Sequence, residues 1–210
     1  MRVVRGLLAI VATAGIFRVF PLFHVVRLKP AAAEEAKAAF NSTQFAENLW
    51  ANQLLPSLGQ SVKAAVLLPA IQADAAAARK RFSHSPGLGD AYFYFVSGAG
   101  RVVAVSDDEV SLAVTEGSSE PEVSLKTGLI FGDALRDGAG LLHAGDFANS
   151  QDFNDISAAL NHIVETRVLP KLRNEAKVGA RISFVGCAEV DDESTDLKPL
   201  NVIPIETELQ

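Results

Sequence analysis

The 210-residue chain carries 19 Lys and Arg, 25 Asp and Glu, 49% hydrophobic residues and one Cys, which places it in the ordinary globular range and outside the disordered, collagen-like and disulfide-stapled classes. The charge is unevenly placed: residues 1–29 hold five cations (Arg2, Arg5, Arg18, Arg27 and Lys29) and no acid, which leaves 14 cations against 25 acids in the remainder. A body that acidic repels phosphate backbones and argues against nucleic acid as a partner, and Cys187 alone supplies neither an intramolecular disulfide nor a thiolate metal cluster.

Arg2 and Arg5 precede an uninterrupted apolar run over residues 6–17, the charge-then-hydrophobe order of a signal sequence. With Arg18, Pro21 and His24 tolerated, the stretch reaches Val26, long enough to cross about 30 Å of hydrocarbon as a helix. A central Arg costs about 2.5–3.5 kcal/mol on insertion, which draws part of the segment to the interface. Residues 1–29 are therefore expected to be a signal anchor or, through the small-x-small sites at residues 12–14 or 31–33, a cleaved signal peptide. A buried amphipathic helix is the bland alternative, but the segment shows almost no polar face. No Cys lies near it, so a mature end lipidated on an N-terminal Cys is not expected. Arg2 and Arg5 favour a cytoplasmic amino end, against which Arg27 and Lys29 pull.

Residues 30–84 are Ala-rich, hold Gly59 as their one glycine, and predict a helical arm. Pro30 ahead of Glu34 and Glu35 suits a helix start. Phe45, Leu49 and Trp50 form an apolar stripe, with Trp50 a packing anchor, and Pro56 and Pro69 are expected to break the run into two or three segments. The stretch 83–90 reads as a turn-rich linker.

From residue 90 to 210 the apolar period becomes two. Residues 91–96 and 101–105 read as one long strand bent at residues 97–100. Val110, Leu112 and Val114 alternate with Ser111, Ala113 and Thr115, and Val123 and Leu125 with Ser124 and Lys126, as in half-buried strands. A helix is predicted over about 152–173, with Phe153, Ile156, Leu160, Ile163 and Val164 on one face, followed by strands over 180–190 and about 200–206. Three strands, a helix and two strands predict an α+β chain with an OB-like five-stranded barrel, the helix plugging it between strands 3 and 4; a half-open sandwich is the alternative.

The densest polar cluster runs through Gly132, Asp133, Arg136 and Asp137 to His143, Asp146, Asn149, Asp152, Asn154 and Asp155. As catalysis, Asp137 would orient His143 as a general base, but no nucleophile is specified. As a metal site, its spacing matches neither an EF-hand nor a two-His zinc helix. The structural reading has Arg136 held by Asp133 or Asp137, and Asp146 or Asn149 capping the next helix, with Asn161 reaching a strand carbonyl from the helix border. A polar pocket holding a ligand's hydroxyl groups is the competing account, with Arg136, Asp137, Asn149 and Asn161 as candidate binding residues. Gly98-Ala99-Gly100 is a bend rather than a dinucleotide fingerprint, and Cys187 reads as a small buried hydrophobe. The five acids of residues 189–196 read as a solvated hairpin tip, with calcium as the less favoured use. No cofactor motif is present.

The stretches 49–56, 132–137 and 146–161 resemble the bacterial predicted periplasmic lipoprotein family known as domain of unknown function 2291 (DUF2291). The resemblance spans about residues 6–205. It departs from the family pattern in lacking a lipobox Cys, in Asp133 where a Thr is usual, and in Ser150 where Gln is frequent. It implies export, membrane attachment on the periplasmic face of the bacterial inner membrane, and encoding beside sugar ABC-transport components; it implies no activity. The expectation is a non-catalytic accessory or binding protein, with sugar ABC-transporter components and the membrane as partners. A periplasmic hydrolase using Asp137 and His143 is the alternative.

Overall fold

Val, Phe and Tyr dominate the stretch that becomes the longest strand, Tyr92–Val105 (β3), around which the other elements are arranged. The computed structural model describes residues 40–86 and 90–210; the expected export segment and the helix start at Pro30 lie outside the described residues. Among these, the chain runs through helix α1 (Ser42–Leu49), a π-helical continuation Trp50–Leu54, a turn Leu55–Ser57, β1 (Val62–Lys63), α2 (Ala64–Ala73), α3 (Ala75–Phe82), β2 (Ser83–His84) and β3. After them come β4 (Glu109–Ala113), β5 (Val123–Lys126), α4 (Ala134–Asp137), α5 (Ser150–Arg167), α6 (Leu169–Glu175), β6 (Arg181–Val190) and β7 (Leu200–Leu209). Phe40–Gln210 pack as one compact unit.

Neither expected break occurs where proline stands. Pro56 follows the wider turns of Trp50–Leu54, and Pro69 sits inside α2. Pro69 removes the donor that the Ala65 carbonyl would otherwise meet, and both residues are exposed, where an unpaired carbonyl costs least. The single helix expected over 152–173 is instead α5 and α6, parted at Val168 because Pro170 is accommodated only in the first turn of a new helix. Together with α4, three helices separate β5 from β6 where one was expected.

The sheet links β3 to β4, β4 to β5, β5 to β7 (parallel), β7 to β6 and β6 back to β3, the other pairs being antiparallel. The five strands expected along the chain are all present, and their pairing returns to its start. β3 passes without interruption through the expected bend, its register shifting between Val102 and Ala104. At Gly98 the start of α2 comes so close that a Cβ would lie 3.1 Å from Ala64 Cβ.

Two hydrophobic clusters lie on the two faces of β3. Tyr92, Tyr94 and Val96 join Leu112, Leu125, Phe184 and Val202, closed by Leu67, Leu68 and Ile71 of α2 and Leu172 of α6. Phe93 and Phe95 join Trp50 and Leu54 of the amino-terminal helices, Ile156 and Leu160 of α5, and Cys187. The expected plug is thus corrected: α5 covers the second cluster, while α2 and α6 fill the first. Ser111 and Ser124, expected on a solvent face, pair with each other and are buried.

Candidate functional site

Gly132, at φ +84°, turns the chain into the one-turn helix α4, a conformation that favours glycine. α4 presents Arg136, which is 4% exposed and each of whose three guanidinium nitrogens has a local acceptor. Nε donates to Asp137 Oδ1 (2.9 Å) and Nη2 to Asp137 Oδ2 (2.7 Å), a bidentate pair. Nη2 also lies 3.0 Å from Asp133 Oδ2, and Nη1 donates to Asn154 Oδ1 (3.2 Å) and the Phe153 carbonyl (3.4 Å). The guanidinium stacks 3.7 Å from the Phe153 ring centroid. Asp133 in turn accepts from the Ser157 hydroxyl (2.7 Å), and its amide donates to Glu189 Oε2 (3.2 Å). Burial raises the Glu189 carboxyl above its ordinary value, the Asp133 amide opposing and the nearby Asp191, Asp133 and Asp137 adding to the rise. The Cys187 thiol is pushed up by complete burial and then by Asp137, which keeps it protonated, as its reading as a small hydrophobe requires.

Beside this cluster opens a cleft of about 450 Å³ lined by Ile130 to Asp133 and by Asn154, Ser157, Ala158, Asn161 and Glu165 of α5. Asn161 is 7% exposed; its Nδ2 donates to the Gly132 carbonyl (3.1 Å), and its Oδ1 is buried with no hydrogen-bond partner among the described residues. The carbonyl reached belongs to the turn before α4 rather than to a strand. The loop before Gly132 is pinned: Thr127 N bonds Asp108 O (2.8 Å), Arg173 Nε bonds Thr127 O (2.7 Å), and Ile130 N bonds Glu165 Oε1 (3.0 Å). That pinned loop nevertheless leaves Leu129 77% and Phe131 75% exposed at the cleft's edge.

Of the four candidate residues, Arg136, Asp137 and Asn161 gather around Asp133 and Gly132, whereas Asn149 stands apart. Its Oδ1 accepts from Asp152 N (2.8 Å) at the start of α5, and its Nδ2 donates to Asp152 Oδ2 (3.0 Å), which makes it the cap. Asp146 lies in a 3-10 turn upstream. Asp137 and His143 both line a small cavity of about 90 Å³, yet no hydrogen bond joins them, and both carboxylate oxygens of Asp137 are taken by Arg136. The acidic run closes on itself, with Asp196 accepting from the Asp191 and Asp192 amides and Asp192 from Ser194. Among the described residues, no three His, Cys, Asp or Glu gather as metal ligands.

Ser157, Leu129 and Phe131 have no role in the sequence reading, and Glu189, read there as part of a solvated acidic tip, is instead a partly buried residue of β6 that accepts from the Asp133 amide. Asn154, Ser157 and Asn161 are spaced i, i+3, i+7, a polar stripe flanking the apolar face of α5, and that spacing was a usable signal. For the exposed loop residues no local signal exists.

The model of the DUF2291 family, described as a predicted periplasmic lipoprotein, matches residues 8–208. The chain is similar to the crystal structure of an OB-fold protein from Thermotoga maritima, with a TM-score of 0.72 and 25% sequence identity over 81% of this chain and 99% of that one. No curated protein matches.

Proposed function

We propose that this chain, which belongs to the DUF2291 family of predicted periplasmic lipoproteins, is a non-catalytic accessory protein that works on the periplasmic face of the inner membrane and docks a component of a sugar ABC transporter in the Asn161 cleft. The single observation that carries the docking site is the pinned loop that still exposes Leu129 and Phe131 beside the unpartnered Asn161 carbonyl. Two large apolar side chains exposed close together on a loop tied down by backbone hydrogen bonds favour a covering partner, which would lose little entropy on meeting a preformed edge. The Arg136 cluster builds the wall of that cleft, with Asp137 committed to Arg136 rather than to orienting His143. A closed five-stranded barrel of OB type, supported by the circuit of strand pairing, is its scaffold. Attachment runs through residues 1–29, since the sequence has Cys187 alone and that thiol lies in β6.

Two experiments test this. Reporter fusions after Lys29 are active in the periplasm if export is right; cytoplasmic activity rejects it. A photo-reactive residue at position 131 of the full chain, irradiated in cells, forms adducts with transporter components. Adducts at an exposed control position such as Val178 but none at 131 would overturn the docking site.

A further inference from the structure

A cavity of about 510 Å³, sharing no lining residue with the Asn161 cleft, lies over the middle of β3. Small side chains, Ser97, Ala99 and Ser183, make its floor. The strand register sets Lys63, Ser97, Val185 and Glu206 side by side across β1, β3, β6 and β7, with Ala99, Ser183 and Glu208 in the next row on the same face.

The Lys63 end is positive and unfilled. The ten-residue helix α2 begins there, Ala64 and Ala65 line the cavity, and the N-cap is Lys63, whose side chain offers no acceptor to the first amides. Independently, Ser97 is 3% exposed and its hydroxyl has no hydrogen-bond partner among the described residues, an arrangement uncommon in natural folds. Neither Lys63 nor Arg181 forms an ion pair among the described residues, although Glu206 and Glu208 line the same cavity. The far end carries the two carboxylates of β7, with Arg181 of β6 next to Glu208 and donating through Nε to Gln210 Oε1 (3.2 Å). Phosphate would meet two carboxylates there, whereas a molecule with a carboxylate at one end and an ammonium at the other satisfies both ends.

We propose that this cavity binds a small zwitterion, an amino-carboxylate whose carboxylate rests on the α2 amides and the Ser97 hydroxyl beside Lys63, and whose ammonium faces Glu206 and Glu208. Lys63 and Glu206 stand three strand spacings apart, about 14 Å between backbones. Both residues line the cavity, so a ligand that meets both has its two charges separated by several methylenes rather than by one. This proposal stands on its own cavity and survives failure of the docking cleft.

The test is calorimetric titration of the full chain with 6-aminohexanoate, against hexanoate and hexylamine, which each carry one of its two charges. The zwitterion binds at least about tenfold tighter than either, because each lost ionic contact is of the order of a factor of ten in affinity. Lys63→Gln and Ser97→Ala each weaken it several-fold at an unchanged melting temperature, and joint Glu206→Gln and Glu208→Gln abolishes the preference over hexanoate. Absence of binding, equal binding of hexanoate, or indifference to Lys63→Gln overturns the proposal.

Discussion

Two polar regions of the protein use charge in opposite ways. Around Arg136 the opposite charges are buried and in contact, and each guanidinium nitrogen has an acceptor. Around Ser97 the charges share a cavity but not a bond, and the buried Ser97 hydroxyl has no partner among the described residues. Desolvated ions persist in a fold only when their partners are internal, so the first region holds structure. Charges left apart around a concave floor stay solvated at little cost, which is why the second region, like the Leu129 and Phe131 edge, is the kind of place proposed to bind.

The difference is broken most severely at Arg136. Arg136→Ala strands the buried Asp137 and costs about 3–5 kcal/mol, read as a large drop in denaturant midpoint; parental stability would mean that the cluster is not a structural keystone. Asn149→Ala removes the α5 cap and costs about 0.5–2 kcal/mol with no specific loss of function; a fully stable variant that fails to support growth would move Asn149 into a binding site. Arg167→Ala breaks an ion pair to Glu47 that is about half exposed, and is expected to cost only about 0.2–1 kcal/mol in thermal melts, less at high salt.

The smallest effect is a slope. Glu189 has its carboxyl raised by burial, so the fold favours the protonated form. Its contribution is fully present below the ordinary value of 4.5 and is lost as pH rises through the elevated one. Glu189→Gln, fixed in a neutral form, should therefore gain on the parent towards neutral pH and converge with it in acid. Melting curves across that range that stay parallel would show that the carboxylate is not penalised in the fold.

Sequence made much of this arrangement legible, for reasons that can be named. An Arg between acids at positions −3 and +1 in an otherwise apolar stretch has nowhere to go but into an ion pair, and Asn149 ahead of a periodic apolar face is a cap by its chemistry. The strands were readable from β-branched alternation, but which helix covers which side was not. Residues 91–96 are apolar at every position, which signals burial on both faces without saying whose side chains meet Tyr94 and whose meet Phe95. That choice is made by long-range packing, and it sent α5 to the second cluster and α2 to the first. The Ser97 cavity was invisible for a related reason: Lys63 and Glu206 become neighbours of Ser97 only through strand register.

If paired charges hold the fold while exposed groups at the cleft bind, the joint variant Leu129→Ser and Phe131→Ser in the full chain separates stability from binding. Its melting temperature and its retention of transporter components from solubilised membranes would be measured side by side with the parent. The account predicts an unchanged melting temperature, because both side chains already face water, and loss of the retained components. Retention equal to the parent's at the same melting temperature would contradict it.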